Sequence, residues 1–163
     1  MKTFKIEKTG AFMTKLLSKT DFDNYLLCMA KITLANSYTV DGRLHPDFFD
    51  SDERKNLADE FVSWAGIRPL YYEIIKGKKL PLSMNITLYL PSADMEQFTA
   101  SLSSDELSTV HYFALSIRYD ANSLLVISSV ERTTFSLKKE ADEIWDKQVR
   151  EFLSSLDISY DEI

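Results

Sequence analysis

The sequence predicts an α+β fold, a largely antiparallel sheet with flanking helices. Three observations carry this. Residues 82–90 and 110–119 alternate apolar and polar side chains, the period of a strand buried on one face. The strand-like segments follow one another mostly through short turns, which joins them antiparallel. Residues 138–156 repeat apolar side chains at i, i+3, i+4, i+7 and i+8, the stripe of an amphipathic C-terminal helix.

The elements follow in order. Residues 3–6 read as a short strand with Phe4 and Ile6 inward. Over 11–19, Phe12, Met13, Leu16 and Leu17 share a helical face, and Lys8, Lys15 and Lys19 take the other side. Residues 25–35 read as a strand that turns Cys28, Ala30, Ile32 and Leu34 to one face. Residues 37–40 continue as strand to an Asp41-Gly42 turn, and a short return from Leu44 stops at Pro46. A helix is expected over 50–65. Asp50 and Glu53 form its capping box, Leu57, Ala58, Phe61, Val62 and Ala65 its stripe, and Gly66 its end. A second helix is expected over 69–76, opened by Pro69 and closed by Gly77.

Strand 82–90 sets Leu82, Met84, Ile86, Leu88 and Leu90 on one side. Ser92 stands where it caps a helix carrying Met95, Phe98 and Leu102. Strand 110–119 alternates Phe113, Leu115, Ile117 and Tyr119, residues 120–123 turn, and 124–137 form one long strand or two. In the last helix Ala141, Ile144, Trp145, Val149, Phe152, Leu153 and Leu156 face inward, with Asp146 among the outer charges. The tail from residue 157 is short and acidic. A β-α-β-β order occurs twice, near 3–45 and 82–137. We expect a pseudo-repeat inside a single domain spanning 1–163, with helix 138–156 after it.

The 163 residues include 19 Lys+Arg and 25 Asp+Glu, for a net charge of −6, and 45% are apolar. A chain of this size buries about 70% of its unfolded surface, enough for an ordinary core without metal or disulfide staples. The apolar content excludes a disordered chain, and four Gly and four Pro exclude collagen-like and low-complexity classes. No run approaches the ~20 apolar residues of a membrane span. The lysine-scattered start is no secretory signal, so the expected compartment is the cytoplasm, where the single Cys28 stays reduced. Net negative charge argues against nucleic acid or anionic membrane binding through the whole surface. Positive charge gathers in two islands, residues 1–20 and 64–80, expected as solvated faces that do not meet.

The stretches FKIEKTGAFMTKLL, FDNYLL, YTVDGRL, SWAGIRPLYYEIIKGKKLP and EIWDKQVREFL together resemble a family of uncharacterised clostridial (Firmicutes) proteins, a domain of unknown function of similar length. Trp64, Arg68-Pro69 and Lys76-Gly77-Lys78 carry the resemblance most specifically. It implies a stand-alone bacterial cytoplasmic domain and supplies no activity. The element order is also similar to half of a DNA sliding clamp. Helix 92–102 departs from that pattern, carrying Asp94 and Glu96 where a phosphate-facing helix needs cations.

No catalytic signature assembles. Cys28 lies in an apolar strand and reads as a structural thiol. His45 and His111 lack the neighbours a zinc site needs, so no metal and no cofactor is expected. The acids Asp47, Asp50, Asp52 and Glu53 suit a helix N-terminus better than a calcium loop. Segment 64–79 is the best candidate site. Arg68, Lys76, Lys78 and Lys79 are candidate anion ligands, and Trp64 and Tyr71 candidate ring-stacking residues. The leading reading is a non-catalytic interaction domain with a protein partner. The alternative is an anion- or nucleotide-binding protein, or an enzyme acting on such a ligand, built on segment 64–79. A clamp-like nucleic-acid module is the weaker third.

Overall fold

A computed structural model describes residues 1–77, 79–121 and 123–163. The strands are β1 (Thr3–Ile6), β2 (Leu26–Thr33), β3 (Ser37–Asp41), β4 (Ser83–Tyr89), β5 (Val110–Asp120), β6 (Ser123–Arg132) and β7 (Tyr160–Glu162). The helices are α1 (Thr9–Leu17), α2 (Ser51–Lys55), α3 (Trp64–Ile75), α4 (Ser92–Thr99), α5 (Ser104–Leu107) and α6 (Glu140–Ser155), with a 3-10 turn at Pro46–Phe48. The fold is α+β. The described strands form one seven-stranded sheet in the order β3-β2-β4-β5-β6-β1-β7. Every pairing in it is antiparallel. That single sheet supports reading 1–163 as one domain. The pseudo-repeat stays a proposal about element order: hairpins β2–β3 and β5–β6 correspond, while β1 sits beside β6 and β4 between β2 and β5.

One face of the sheet carries the core. Phe4, Ile6, Leu27, Ala30, Ile32, Met84, Ile86, Leu88, Phe113, Leu115, Ile117, Leu124 and Val126 all bury there with Phe12 and Leu16 of α1, Trp64 and Tyr71 of α3, and Trp145 and Val149 of α6. The period-two alternation of β4 and β5 and the period-3.6 stripe of α6 meet in this layer, and burial of both drives folding. On α6 the fully inward positions are Ala141, Trp145, Val149 and Leu153. Asp146 is buried rather than outward, because the hydroxyl of buried Ser128 donates to it.

Several expected elements are corrected by distant pairings. The helix expected over 50–65 stops at Lys55, although its capping box forms: the Asp50 side chain accepts from Asp52 N and Glu53 N. Beyond it, the main chain leaves helical hydrogen bonding for the end of β2. Leu27 N donates to Val62 O, Val62 N to Gly42 O, and Leu44 N to Glu60 O. Gly42 permits this approach, since a Cβ there would lie 1.7 Å from Leu27 O. The next helix begins at Trp64 rather than Pro69, leaving Pro69 inside α3. A mid-helix proline costs roughly 3 kcal/mol. Two buried anchors one heptad apart hold the helix regardless: Trp64 Nε1 donates to Leu16 O and the Tyr71 hydroxyl to Ala30 O.

A bulge between Leu27 and Met29 shifts the alternation of β2. Ala30 and Ile32 face the core as expected, but Cys28 turns to the opposite face of the sheet. Ser92 is the first residue of α4 rather than its cap, and Asp59 Oδ1 accepts from its N–H at 3.1 Å. The strand expected to run to 137 ends at Arg132. Residue 122 of the expected 120–123 turn lies outside the described residues. The acidic tail is partly ordered as β7, whose Glu162 pairs with Phe4.

Candidate functional site

The segments that carry the two basic islands pack together: α1 lies beside α3, and Met13, Leu17, Tyr72, Ile75 and Lys76 line a shallow cleft of about 150 Å³ between them, with Lys76 the one cation among the lining residues. On α3 and at its C-terminal end, Arg68 and Lys76 both have partners. Arg68 grips Asp23 with both ends of its fork, at 2.7 Å and 3.0 Å, with both side chains mostly buried. That bidentate bond raises the Arg68 pKa. Lys76 lies 5.8 Å from the Tyr72 ring centroid. Lys79 stands apart, on a cleft at the β2–β3 hairpin. Lys78 lies outside the described residues. Trp64 and Tyr71 are fully buried and stack on each other at 6.0 Å. Their rings present no face to a ligand, and burial pushes the Tyr71 hydroxyl up to about 12.

The side chains of strand Cys28, loop His45 and strand His111 do not converge on a catalytic set. Cys28 is half-buried on the helix-free face of the sheet, against Leu26, Phe61, Tyr89 and Ala114. Burial pushes its thiol upward, away from the thiolate a nucleophile needs. His45 is exposed where the chain enters the 3-10 turn. His111 is exposed and stacks on Tyr112 at 4.3 Å, and Tyr112 in turn stacks on Tyr89 at 4.4 Å. Phe61 closes this cluster edge-on, with Arg43 4.8 Å over its ring.

The most deliberately built surface feature is one the sequence analysis does not single out. Glu106, in a polar stretch of α5, has no exposed surface. Its carboxylate accepts from Arg132 Nη2 at 2.9 Å, the Ser136 hydroxyl at 3.0 Å and Ala141 N at 3.2 Å. Arg132 also donates to Asp142 at 2.6 Å and Thr109 at 2.8 Å. Burial raises the Glu106 pKa, but these donors outweigh it and hold the carboxylate below its ordinary value. The effect is to fasten the connection between β6 and α6 at three points. Thr133 N donates to Thr109 O, Ser136 holds Glu106, and Arg132 reaches Lys138 O. Between the fastenings Phe135 and Leu137 point out, 87% and 84% exposed. Among the described residues no hydrogen bond engages the main chain of 134–137. The signal in the sequence is the alternation Phe135-x-Leu137 directly after a strand, which reads equally well as more strand.

A second apolar feature is concave. Leu34, Tyr38, Leu80 and Leu82 line a cleft of about 430 Å³ between the β2–β3 hairpin and the segment leading into β4. Leu80 and Leu82 are 69% and 70% exposed.

The geometry defines a class: an α+β domain with helices on one face of an antiparallel sheet, no assembled catalytic constellation among its described residues, and two unfilled apolar surface features. The chain belongs to a family of unknown function, DUF5721, whose model matches residues 15–161. No curated protein matches the chain, and no solved structure does. No helix among the described residues is long and apolar enough to cross a membrane.

Proposed function

We propose that this protein is a non-catalytic interaction domain whose contact element is the fastened loop that displays Phe135 and Leu137. The carrying observation is that a buried carboxylate and a partly buried arginine fix a loop whose two large apolar side chains lie in water. Burying Glu106 and Arg132 costs desolvation, which a stability role alone would not repay over apolar packing. An apolar pair on a fastened segment whose main chain has no hydrogen-bond partner among the described residues suits a partner protein offering an apolar groove and a strand edge. The proposed compartment is the cytoplasm, supported by a single cysteine with no internal disulfide partner.

The test is a photo-crosslinking residue at position 135 in the producing cell, with the same residue at exposed Glu143 as control. A protein captured only from position 135 is then purified and titrated. Support is binding that Phe135→Ser/Leu137→Ser abolishes while the melting temperature holds. Equal capture from both positions, or binding indifferent to the double substitution, overturns the reading.

A second reading has its own observation. The packing of α1 on α3 forms clefts that Arg68 and Lys76 line. This favours a small anion, phosphate or nucleotide, at that junction. A thermal-shift screen tests it: a ligand at 100 times Kd adds roughly 2.7 kcal/mol, and the gain must disappear in Lys76→Ala.

A further inference from the structure

We propose that the partner of the Phe135–Leu137 knob is a second copy of this chain, which receives it along the outer edge of β3 and in the apolar cleft beside Tyr38. The proposal rests on the interaction-domain reading and names its partner.

Four observations carry it. First, knob and cleft belong to one chain, and each leaves large apolar side chains in water. Second, they lie at opposite ends of the strands. Thr33 pairs with Ser83 and Ser83 with Asp120, so the 34–36 hairpin lies at the same end as the β5–β6 connection. Val110 pairs with Arg132 at the other end, where the knob begins. Ten residues of β6 separate the ends by about 30 Å, so one copy does not fill its own cleft. Third, both surfaces offer main-chain hydrogen bonds: β3 is the edge of the sheet, and segment 134–137 has no main-chain partner among the described residues. Fourth, the spacings agree. Phe135 and Leu137 are two apart, as are Tyr38 and Val40, the half-buried β3 residues packed against the core. A parallel alignment with Phe135 beside Tyr38 and Leu137 beside Val40 also brings Lys138 beside Asp41, a complementary pair of charges that would replace the exposed Lys138–Asp105 contact within one copy, 3.5 Å long.

The contact is heterologous, since a knob at one end meets a cleft at the other. It leaves one free knob and one free cleft on every pair, so association continues to a ring or a filament. Strand addition supplies the main-chain hydrogen bonds, and the two apolar side chains fix register.

The experiment is sedimentation of the full chain over a wide concentration range. It uses the wild type, a knob variant (Phe135→Ser/Leu137→Ser) and a cleft variant (Leu80→Ser/Leu82→Ser). All four positions are exposed, so both variants keep the wild-type circular dichroism. The wild-type mass should rise above the single-copy 18.8 kDa with concentration, while each variant stays at one copy. An equimolar mixture of the variants should form a two-copy complex and nothing larger, because the mixture holds one intact knob and one intact cleft per pair. A wild type that sediments as one copy throughout overturns the proposal, as does a mixture that fails to pair. If the wild type is a single copy but position 135 still captures a different protein in cells, self-assembly fails and the interaction-domain reading survives. If neither partner appears, both fail.

Discussion

Glu106 and Arg132 sit 2.9 Å apart, the carboxylate fully buried and the arginine side chain 15% exposed, where α5, the end of β6 and the start of α6 converge. Glu106→Ala takes the acceptor from the buried Ala141 N–H and from the Ser136 hydroxyl and leaves Arg132 with Asp142 as its carboxylate partner, a loss of about 3 kcal/mol. Glu106→Ala is therefore expected to lower the melting temperature by on the order of 10 °C in a domain of this size. Ser136→Ala removes two hydrogen bonds, the one its hydroxyl donates to Glu106 and the one it accepts from Lys138 N, and costs about 1–2 kcal/mol. It should also expose the 133–139 connection to protease before the rest of the chain. Scanning calorimetry and timed proteolysis of both variants check this. Equal, small losses would mean that Glu106 is not the fastening.

Acid should release the C-terminal strand. Hydrogen bonds from Arg150 and Lys2 hold the Glu162 pKa down to about 2, from an ordinary 4.5. A carboxylate depressed in the folded state stabilises it fully above the unfolded pKa and loses that contribution as pH falls through the folded pKa. The window is therefore pH 4.5 to about 2, and Glu106, also held low, acts in the same direction. Amide exchange of residues 160–162 should accelerate through that window ahead of the central strands. In Glu162→Gln the acceleration should be present already at neutral pH. Exchange at 160–162 that does not change with pH, after correction for intrinsic rates, would show that the Arg150 and Lys2 pairs do not hold β7.

How much of this was legible in the sequence follows from the range of the forces involved. The alternation of β4 and β5 and the stripe of α6 are local patterns that report burial directly, and these elements stand within two residues of their expected bounds. Segment 56–63 has a helical stripe as well, yet its main chain is claimed by Leu27 and Gly42, which no local pattern reports. The bulge that turns Cys28 outward has the same origin, since Val62 O takes the N–H of Leu27 at the point where β2 loses register. At the candidate site, Trp64, Arg68 and Tyr71 do form one cluster, but it joins α3 to α1 and β2. Glu106 lies in a serine-rich turn that looks solvated, and only its distance to Arg132, 26 positions on, discloses its part.

The role of Arg68 is separable by a double-mutant cycle with Asp23. Hydrogen bonds to charged groups contribute about 1.5–3 kcal/mol each, and both side chains here are mostly buried. Arg68→Ala and Asp23→Ala are each expected to cost about 2 kcal/mol, and the double variant little more than either alone. Urea unfolding supplies the four stabilities. Additive losses would mean that Arg68 is free to serve a ligand, and phosphate should then stabilise the wild type more than Arg68→Ala.

The glycines give opposed expectations for one substitution. At Gly42 a methyl group meets the Leu27 carbonyl at 1.7 Å, and the obstacle is backbone that two further hydrogen bonds hold in place. Gly42→Ala must push segment 60–63 off the end of β2. That costs the Leu27–Val62 and Val62–Gly42 bonds and the burial of Phe61 against Tyr89, together more than about 3 kcal/mol. At Gly10, in the first turn of α1, nothing lies within 4 Å of the added carbon. Gly10→Ala there only restricts the unfolded chain and improves helix propensity, a gain of about 0.5–1 kcal/mol. Thermal unfolding of the two variants should therefore move in opposite directions. A Gly42→Ala protein that melts with the wild type would show that segment 60–63 does not hold the end of β2 as closely as this geometry requires.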